Sequence, residues 1–252
     1  MKLERMKSKV QVIGGIEMSL SIQTIDLGGV NCYLGSQEGN YMLIDTGGYM
    51  LLDKEFNDRR ELLIKKLGEY GCTKDNLKLL VLTHGDCDHT ANAAYLRQHY
   101  GLKIAMHRGD LKLVQNLEVQ DLMASFNFKS LVIKVAMKLM EGKTKLVVKK
   151  TVEAFQKFTP DIFLEEGGSL KPYGFDAQVL HLPGHTPGSI GILTGENELV
   201  CGDLFQNNKK LEKGMNALDF ELRDKSVERV KNMNVNALYV GHGTPWRNSY
   251  GK

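Results

Sequence analysis

Apolar residues in the N-terminal half of the chain form short runs that alternate with segments of helical periodicity. The short runs are β-rich and separated by glycines, and they lie at residues 9–13, 18–27, 31–35 and 41–48. Residues 51–70 and 91–100 instead place apolar side chains three or four positions apart, which predicts two helices. Residues 79–82 are continuously apolar, as in a short buried strand. The pattern predicts several paired strands, followed by alternating helices and strands.

The C-terminal half repeats this alternation. The pattern predicts strands at residues 177–182, 190–193, 198–201 and 237–240. A helix is expected over residues 225–233. Alternating strands and helices with antiparallel hairpins favour an α/β fold in which two sheets lie between helices. Because no linker rich in Pro, Gly or Ser separates the halves, we expect a single domain over residues 1–252.

Residues 107–160 depart from this alternation because they are helical in pattern and rich in lysine. The apolar face of the central helix consists of Val132, Val135, Ala136, Leu139 and Met140, opposite Lys134, Lys138 and Glu141. Two interpretations stay open. Either the helix packs its apolar face on the core and exposes its lysines, or residues 107–160 form a helical cap that shapes a substrate pocket. The position of this segment between two blocks of candidate ligands supports the cap.

The composition is that of an ordinary globular protein, with 42% apolar residues and 33 basic against 30 acidic side chains. A net charge of +3 is far from the positive field of a nucleic-acid or membrane-surface protein, so we expect neither partner, only a small-molecule substrate. The sequence has no apolar run of about 18 residues and no signal-peptide core, which predicts a cytoplasmic protein. Its four cysteines form no CxxC pair and are expected to be reduced thiols.

Seven residues of metal-ligand type fall in four short blocks, each of which follows a predicted strand. The residues are His84, Asp86, Asp88, His89, His185, Asp203 and His242. Loops at strand ends, stiffened by Gly and Pro, can bring distant imidazoles and carboxylates together while leaving space for a ligand. A site for two metal ions needs about six or seven such donors, one of them bridging, and the supply matches. The sequence therefore predicts a dinuclear metal centre.

The first block is the strongest signal, because four ligand-type side chains within six residues after a buried strand rarely serve a structural role. By contrast, His99, His107 and His181 stand alone, and we expect them to be surface or core residues rather than ligands. Cys87 and Cys201 lie beside candidate ligands, but we expect both to pack in the interior.

The order and flanks of the four blocks resemble the metallo-β-lactamase superfamily. The family pattern is HxHxDH, a His in a PGHTPG-like turn, an Asp after a strand and a His in a GHG-like turn. This chain reads THGDCDH, LPGHTPGS, VCGDLF and VGHGTP, and LIDTGG around Asp45 matches an early strand-turn signature. The resemblance runs from about Ile25 to Pro245. It implies a four-layer αββα sandwich with a pair of metal ions at one edge, between the two sheets.

Carried over position by position, the resemblance assigns a role to each candidate. It gives one metal ion to His84, Asp86 and His185 and the other to Asp88, His89 and His242, with Asp203 bridging them. A water or hydroxide between the ions would be the nucleophile, which the catalytic residue Asp88 would orient or relieve of a proton. Asp45 would fix a ligand by hydrogen bonding, and a simple turn or N-cap aspartate is a competing interpretation of it.

Asp86 stands where most of the family has histidine, which makes the motif an HxDxDH variant. Together with Asp88, Asp203 and a bridging hydroxide it would supply four negative charges, which balance two divalent ions. Such a site is a weaker Lewis acid, and carboxylate ligands favour harder or more oxidised ions. We therefore expect two divalent metal ions, with zinc as the leading candidate and iron or manganese competing with it.

The leading hypothesis for function is a metallo-hydrolase that cleaves a small ester-like substrate, either a thioester as in the glyoxalase II type or a lactone. Strict glyoxalase II activity is less expected, because the chain ends soon after His242 without a helical domain for glutathione. The first alternative is a di-iron oxidoreductase related to the flavodiiron branch, which also carries a carboxylate at the position of Asp86, although no flavodoxin domain follows Lys252. A phosphodiesterase or nuclease and a non-catalytic metal-binding protein are further alternatives. The oligomeric state stays open, with a homodimer among the alternatives.

Overall fold

A computed structural model describes residues 19–51, 53 and 55–248 of the chain. The strand expected at residues 9–13 lies outside the described residues. Within the described part, no helix is long and apolar enough to cross a bilayer. Cys32, Cys72, Cys87 and Cys201 are buried free thiols, as their spacing predicts.

The first sheet collects the N-terminal strands. They are β1 (Ser21–Asp26), β2 (Asn31–Gln37), β3 (Asn40–Ile44), β4 (Leu77–Val81), β5 (Lys103–His107) and β6 (Ile162–Leu164), hydrogen-bonded in that order. The first three strands pair antiparallel, whereas β3 to β6 pair parallel. Parallel neighbours need long crossovers, and helices supply them. These helices are α1 (Arg60–Glu69) before β4, and α2 (Cys87–Thr90) and α3 (Ala93–Tyr100) before β5.

The second sheet collects the C-terminal strands. They are β7 (Ala177–His181), β8 (Ile190–Thr194), β9 (Glu198–Asn207), β10 (Glu212–Lys213), β11 (Ala237–Gly243) and β12 (Trp246–Arg247). The strand order is β12-β11-β9-β8-β7, with β10 paired to β9. The helix α8 (Phe220–Asn232) crosses between β10 and β11, and Asp219 caps it by accepting hydrogen bonds from the amides of Glu221 and Leu222.

The apolar core is layered. Ile44 and Val81 of the first sheet share one buried cluster with Val179 and Val200 of the second, so the two sheets pack face to face. A second cluster joins the outer face of the first sheet to α1 and α3, and a third joins the second sheet to α8. Helix, sheet, sheet and helix therefore form the four layers that the sequence resemblance implies.

Helix α1 is shorter than its pattern predicts, because it begins at Arg60 rather than near residue 51. Arg59 takes a left-handed backbone conformation with φ 62° and buries its guanidinium. That guanidinium donates hydrogen bonds to the carbonyl oxygens of Leu27 and Gly48 and pairs with Asp53. The helix therefore begins only after Arg59, because the buried guanidinium of Arg59 is hydrogen-bonded to two neighbouring loops.

Residues between β5 and β6 form four helices over one edge of the sandwich. They are α4 (Leu111–Gln115), α5 (Val119–Ser125), α6 (Leu131–Leu139) and α7 (Glu141–Ala154). The core-packing interpretation of α6 is wrong, because no residue of this helix is buried. Val132 and Leu139, on its expected apolar face, are 78% and 83% exposed. Ile133 and Met137 instead face the interior of the molecule, where they line a cavity.

Candidate metal centre

The candidate ligands meet at one edge of the sandwich, between the two sheets. The segment His84 to His89 follows β4, and His185 follows β7, as expected. Asp203 and His242 differ from expectation because they lie within β9 and β11, which continue past them. The strands can run on because their pairing shifts register between Tyr239 and Val240 and again before His242. Such β-bulges change the direction in which side chains project beside a site, and the pattern of apolar residues does not predict them.

One half of the cluster contains His84, His185 and Asp203, whose ligand atoms all lie within 4.8 Å of one another. Asp86 belongs to the same half, because its Oδ2 lies 3.1 Å from His185 Nε2 and 3.9 Å from His84 Nε2. The distance from His185 Nε2 to Asp203 Oδ2 is 3.7 Å.

The other half contains Asp88, His89 and His242, again with ligand atoms within 4.8 Å of one another. Asp203 contacts this half as well. Its Oδ1 lies 3.2 Å from His89 Nε2, and its Oδ2 lies 3.2 Å from His242 Nε2. A single carboxylate therefore lies between two groups of ligand-type atoms.

All four imidazoles turn Nε2 inward because each Nδ1 has an outward hydrogen-bond partner. The partners are Thr83 Oγ1 for His84, Asp45 Oδ2 for His89, the Asn216 carbonyl for His185 and the Gly29 carbonyl for His242. Carbonyl and carboxylate oxygens can only accept, so Nδ1 of His89, His185 and His242 carries the proton. Thr83 Oγ1 donates to Asp45 and so accepts from His84. On a neutral imidazole, Nε2 then has its lone pair directed into the cluster, where a proton or a metal ion can bind it.

The cluster contains buried atoms without hydrogen-bond partners. Among the described residues these include His84 Nε2, His89 Nε2 and Asp203 Oδ1. Burying a polar atom without a partner costs about 1–3 kcal/mol, so native proteins rarely leave three together. Imidazole nitrogens and carboxylate oxygens are the donors that zinc, iron and manganese bind. The donor set and its orphaned atoms therefore fit divalent cations.

The electrostatic field of the cluster also favours a cation. Burial lowers the pKa of His89 and His242, but the charges of Asp203 and Asp88 outweigh it and raise both well above the usual range. For His185, burial is likewise outweighed by Asp86 and Asp203, and its pKa rises to about 9. Carboxylates that draw protons onto imidazoles this strongly would draw a metal ion in their place.

Asp45 holds one ligand in orientation. It is buried, and its Oδ2 accepts hydrogen bonds from His89 Nδ1 at 2.9 Å and from Thr83 Oγ1 at 2.7 Å. Its Oδ1 accepts from the Thr83 amide at 2.8 Å. Asp45 has φ 62°, a strained conformation for a non-glycine residue that often marks a functional site. No helix begins at Asp45 in the described chain, which removes the N-cap interpretation.

The sequence pattern missed Asp110, which ties two ligand loops together. Its carboxylate accepts hydrogen bonds from the Gly85 amide at 2.8 Å, the Thr186 hydroxyl at 2.5 Å and the Gly188 amide at 2.6 Å. Gly85 is next to His84, and Thr186 is next to His185. Burial raises the pKa of Asp110 to about 6. Its signal in the sequence is an aspartate shortly after a strand, the placement that the ligand blocks share.

The isolated histidines lie elsewhere, as the sequence predicts. The rings of His107 and His181 stack with centroids 4.2 Å apart, and His181 Nε2 lies 2.9 Å from the Pro187 carbonyl oxygen. The ring of His99 stacks on Tyr95 of the same helix. None of the three belongs to the groups of ligand-type atoms found in the described chain.

A cavity of about 520 Å³ opens directly onto the cluster. Asp86, Asp88, Asp203 and His242 form its base. Its remaining walls come from the loop at residues 49–51, from the β9–β10 hairpin and from the helices between β5 and β6. A substrate in this cavity would contact the candidate ligands on one side and the helical cap on the other.

The sequence profile of the metallo-beta-lactamase superfamily matches residues 25–242, and the chain belongs to that superfamily. The hydroxyacylglutathione hydrolase GloC of Haemophilus influenzae is 32% identical over 226 residues, covering 85% of this chain and 85% of that protein. With this membership and this relative, the protein is a metallo-hydrolase.

Solved structures agree with the fold. The metallo-beta-lactamase family protein TTHA1429 from Thermus thermophilus is similar with a TM-score of 0.65 and 22% identity, over 91% of this chain and 75% of that chain. TTHA1623, solved in a di-iron-bound form, is similar with a TM-score of 0.60 and 24% identity, over 90% of this chain and 94% of that chain. The αββα architecture predicted from the sequence is confirmed.

Proposed function

We propose that the protein hydrolyses a small thioester or lactone at a dinuclear metal centre. His84, Asp86 and His185 would hold one ion, Asp88, His89 and His242 the other, and Asp203 would bridge them. The observation that carries the proposal is the inward orientation of four Nε2 atoms around Asp203. When bound, the ions would supply an acidified water nucleophile and polarise the carbonyl under attack.

Asp88 is the residue we propose for handling the proton. It lines the cavity, and its Oδ2 lies 3.5 Å from His242 Nε2. Burial raises the pKa of Asp88, but the positive charges of His89 and His242 outweigh it and lower the pKa to about 2. An ionised carboxylate at this position can orient a water and accept its proton as the carbonyl carbon is attacked.

Thioester hydrolysis has direct support from the relative named hydroxyacylglutathione hydrolase. That protein is matched over 85% of its own length, so the similarity extends over most of both chains. From the region after His242 we expected strict glyoxalase II activity to be less suited to this chain. The similarity to a hydroxyacylglutathione hydrolase counts against that expectation. We place a lactone second, because both reactions add water to an activated acyl carbon.

The activity test is a panel of thioesters, lactones, β-lactams and phosphodiesters offered to protein reconstituted with zinc, iron or manganese. We expect turnover of the thioesters or lactones, with phosphodiesters inert. A protein that binds metal but hydrolyses none of the four classes would remove the proposal.

Asp86 bears on the identity of the metal. Its Oδ2 lies beside His185 Nε2. A histidine at this position, as in most of the family, would give the site one negative charge fewer. Asp86→His should keep the fold and shift the bound metal toward zinc, because nitrogen ligands favour zinc over harder ions. Elemental analysis of both proteins after growth in mixed-metal medium tests this, and an unchanged metal ratio would contradict the charge argument.

A di-iron oxidoreductase is the second candidate, and Asp86 favours it. Three carboxylates around one centre suit iron, and the similar protein TTHA1623 is described in a di-iron-bound form. Iron-loaded protein that consumes oxygen without hydrolysing any ester would favour this candidate over hydrolysis. The cytoplasmic location and the absence of nucleic-acid and membrane partners stay predictions from the sequence.

A further inference from the structure

The cavity above the candidate metal centre is mostly apolar. Its apolar lining includes Tyr49, Leu122, Phe126, Phe128, Ile133 and Met137. Apolar pockets of this size, with a few polar groups at one end, bind substrates that bury a hydrophobic body and present one reactive group. Here the polar end is the metal cluster.

The described lining of the cavity offers no lysine or arginine side chain that could bind an anionic group of the substrate. Among the described residues that line it, Asp86, Asp88 and Asp203 are acidic, and none is lysine or arginine. Lys129 and Lys213 lie nearby but pair with Asp224, at 3.3 Å and 2.9 Å. Recognition of a carboxylate or phosphate needs a lysine or arginine that can reach it. Glutathione carries two carboxylates, which this lining would leave unpaired.

The cap supplies the apolar wall opposite the metal cluster. Ile133 and Met137 are four residues apart on α6, so they project from the same face of the helix. Phe126 and Phe128 precede the helix and extend that wall. Val135 lies on the opposite side of α6 and is 52% exposed. The inward face of the helix can therefore select an acyl group while the outward face leaves the site unchanged.

We propose that the substrate is an uncharged thioester or lactone with a medium-length apolar acyl chain, which the apolar lining of the cavity would bury. This inference rests on the proposed hydrolase function and specifies its substrate. Water adds to the acyl carbon, and the bond from carbon to the leaving sulfur or oxygen breaks. One proton of the water goes to the leaving group, and the other is released to solvent. The products are a carboxylate and a thiol or alcohol. The acyl chain lies against Ile133 and Met137, at the end of the cavity that faces away from the candidate metal ligands.

A series of acyl thioesters with one neutral leaving group, N-acetylcysteamine, tests the proposal. Between acetyl and octanoyl, kcat/KM should rise about three- to fourfold per added methylene, the factor for burying one methylene group. Succinyl-N-acetylcysteamine and S-lactoylglutathione provide the charged comparison. Both should react at least tenfold more slowly than the octanoyl thioester.

A matched pair of variants separates the cavity wall from the rest of the cap. Met137→Arg places a cation on the inward face of α6, and Val135→Arg places the same cation on its outward face. Met137→Arg should lower kcat/KM for the octanoyl thioester at least tenfold and raise it for the succinyl thioester. Val135→Arg should leave both values within twofold of wild type.

Binding is measured separately from turnover with carba analogues, in which a methylene replaces the sulfur. The octanoyl analogue should bind at least tenfold more tightly than the succinyl analogue, and Met137→Arg should abolish that preference. Rates that do not depend on chain length, or S-lactoylglutathione as the best substrate, would contradict the proposal of an apolar substrate. Neither result would contradict the proposed hydrolase function. Octanoyl analogue binding without hydrolysis of any thioester or lactone would instead count against the proposed function alone.

Discussion

The base of the cavity and the cap above it differ in how their side chains are held in place. At the base, each imidazole is fixed by a hydrogen bond on its outer nitrogen, and Asp45 and Asp110 each accept three hydrogen bonds. In the cap, α6 has no buried residue and presents valine and leucine side chains to solvent. The base is positioned by many directional hydrogen bonds, whereas α6 of the cap buries none of its residues. This difference supports our proposal that the base carries out the chemistry and that the cap selects the substrate.

The two regions are nevertheless joined by hydrogen bonds, and besides those of Asp110 the main ones run through Asn216 and Asn127. The Asn216 carbonyl accepts the hydrogen bond from His185, and the Asn216 side chain donates to the Ser125 carbonyl at the end of α5. Asn127, also in the cap, exchanges two hydrogen bonds with Ala217. The cap is thus anchored on the backbone segment that orients one candidate ligand.

The strongest way to break the base is to remove the carboxylate between its two halves. Asp203→Ala should lower activity by on the order of 10⁴-fold, the scale seen when one member of a catalytic unit is lost. It should also release bound metal, because Asp203 contacts both halves of the cluster. Elemental analysis and hydrolysis assays measure the two effects, and circular dichroism checks the fold. Full activity in a folded Asp203→Ala protein would contradict the assignment.

A pair of glycine substitutions compares the tolerance of the two regions. The β-carbon of Gly241→Ala would overlap Asp203 Oδ1 and approach His89 Cε1 within 2.8 Å, so we expect a loss of about 1–3 kcal/mol in the free energy of unfolding. The same change at Gly142, in the first turn of α7, meets no atom within 4 Å and should change the free energy of unfolding by less than about 0.5 kcal/mol. Chemical denaturation measures both. Equal effects would show that the base is not more tightly packed than the cap.

Asp110→Asn tests how the ligand loops are held. At pH 4.5 the native carboxyl group is protonated, and its hydroxyl oxygen can donate to Thr186 Oγ1 and still accept from a backbone N–H. An amide NH₂ group cannot accept in either orientation, so the variant should lose about 1–3 kcal/mol of stability at this pH. Burial raises the pKa of Asp110 to about 6, above the value near 3.9 of an unfolded aspartate.

The native state therefore binds this proton more tightly, and wild-type stability falls as pH rises from about 4 to about 6. The asparagine variant lacks that titration. The free energies of unfolding of wild type and Asp110→Asn should therefore become more similar between about pH 4 and about pH 6. Urea denaturation with a chelator present measures both values. A difference that widens with pH would contradict the buried carboxyl group described here.

The smallest effect is expected on the outer face of the cap. Leu139 is 83% exposed, so Leu139→Ser should change the free energy of unfolding by less than about 0.5 kcal/mol. The control is Leu67→Ser in α1, a fully buried position where we expect a loss of several kcal/mol, about 2–5. Urea denaturation compares them. A comparable loss at Leu139 would mean that another surface covers this helix, and gel filtration would identify a second copy as its source.

The blocks of candidate ligands could be recognised in the sequence because each block is local. His84 to His89 lie within six residues after a run of apolar residues, and the family pattern gives the order of the remaining blocks. The layered fold followed from alternating strands and helices. These features depend on short-range periodicity and spacing, which a single sequence displays directly.

The rest depends on contacts between distant residues. The register shifts that place Asp203 and His242 inside strands arise from pairing between β9 and β11, which no periodicity records. Asp110 joins loops 25 and 76 residues away along the chain. The direction of α6 could not be predicted either, because an amphipathic pattern gives the faces of a helix but not which face meets the site.

The most direct test of the metal centre is anomalous diffraction at the absorption edges of zinc, iron and manganese, recorded from crystals of the purified protein. We predict two peaks on either side of the Asp203 carboxylate, one near His84 and His185 and the other near His89 and His242. A metal-replete crystal with no peak between these side chains, or with peaks only elsewhere, would contradict the dinuclear centre.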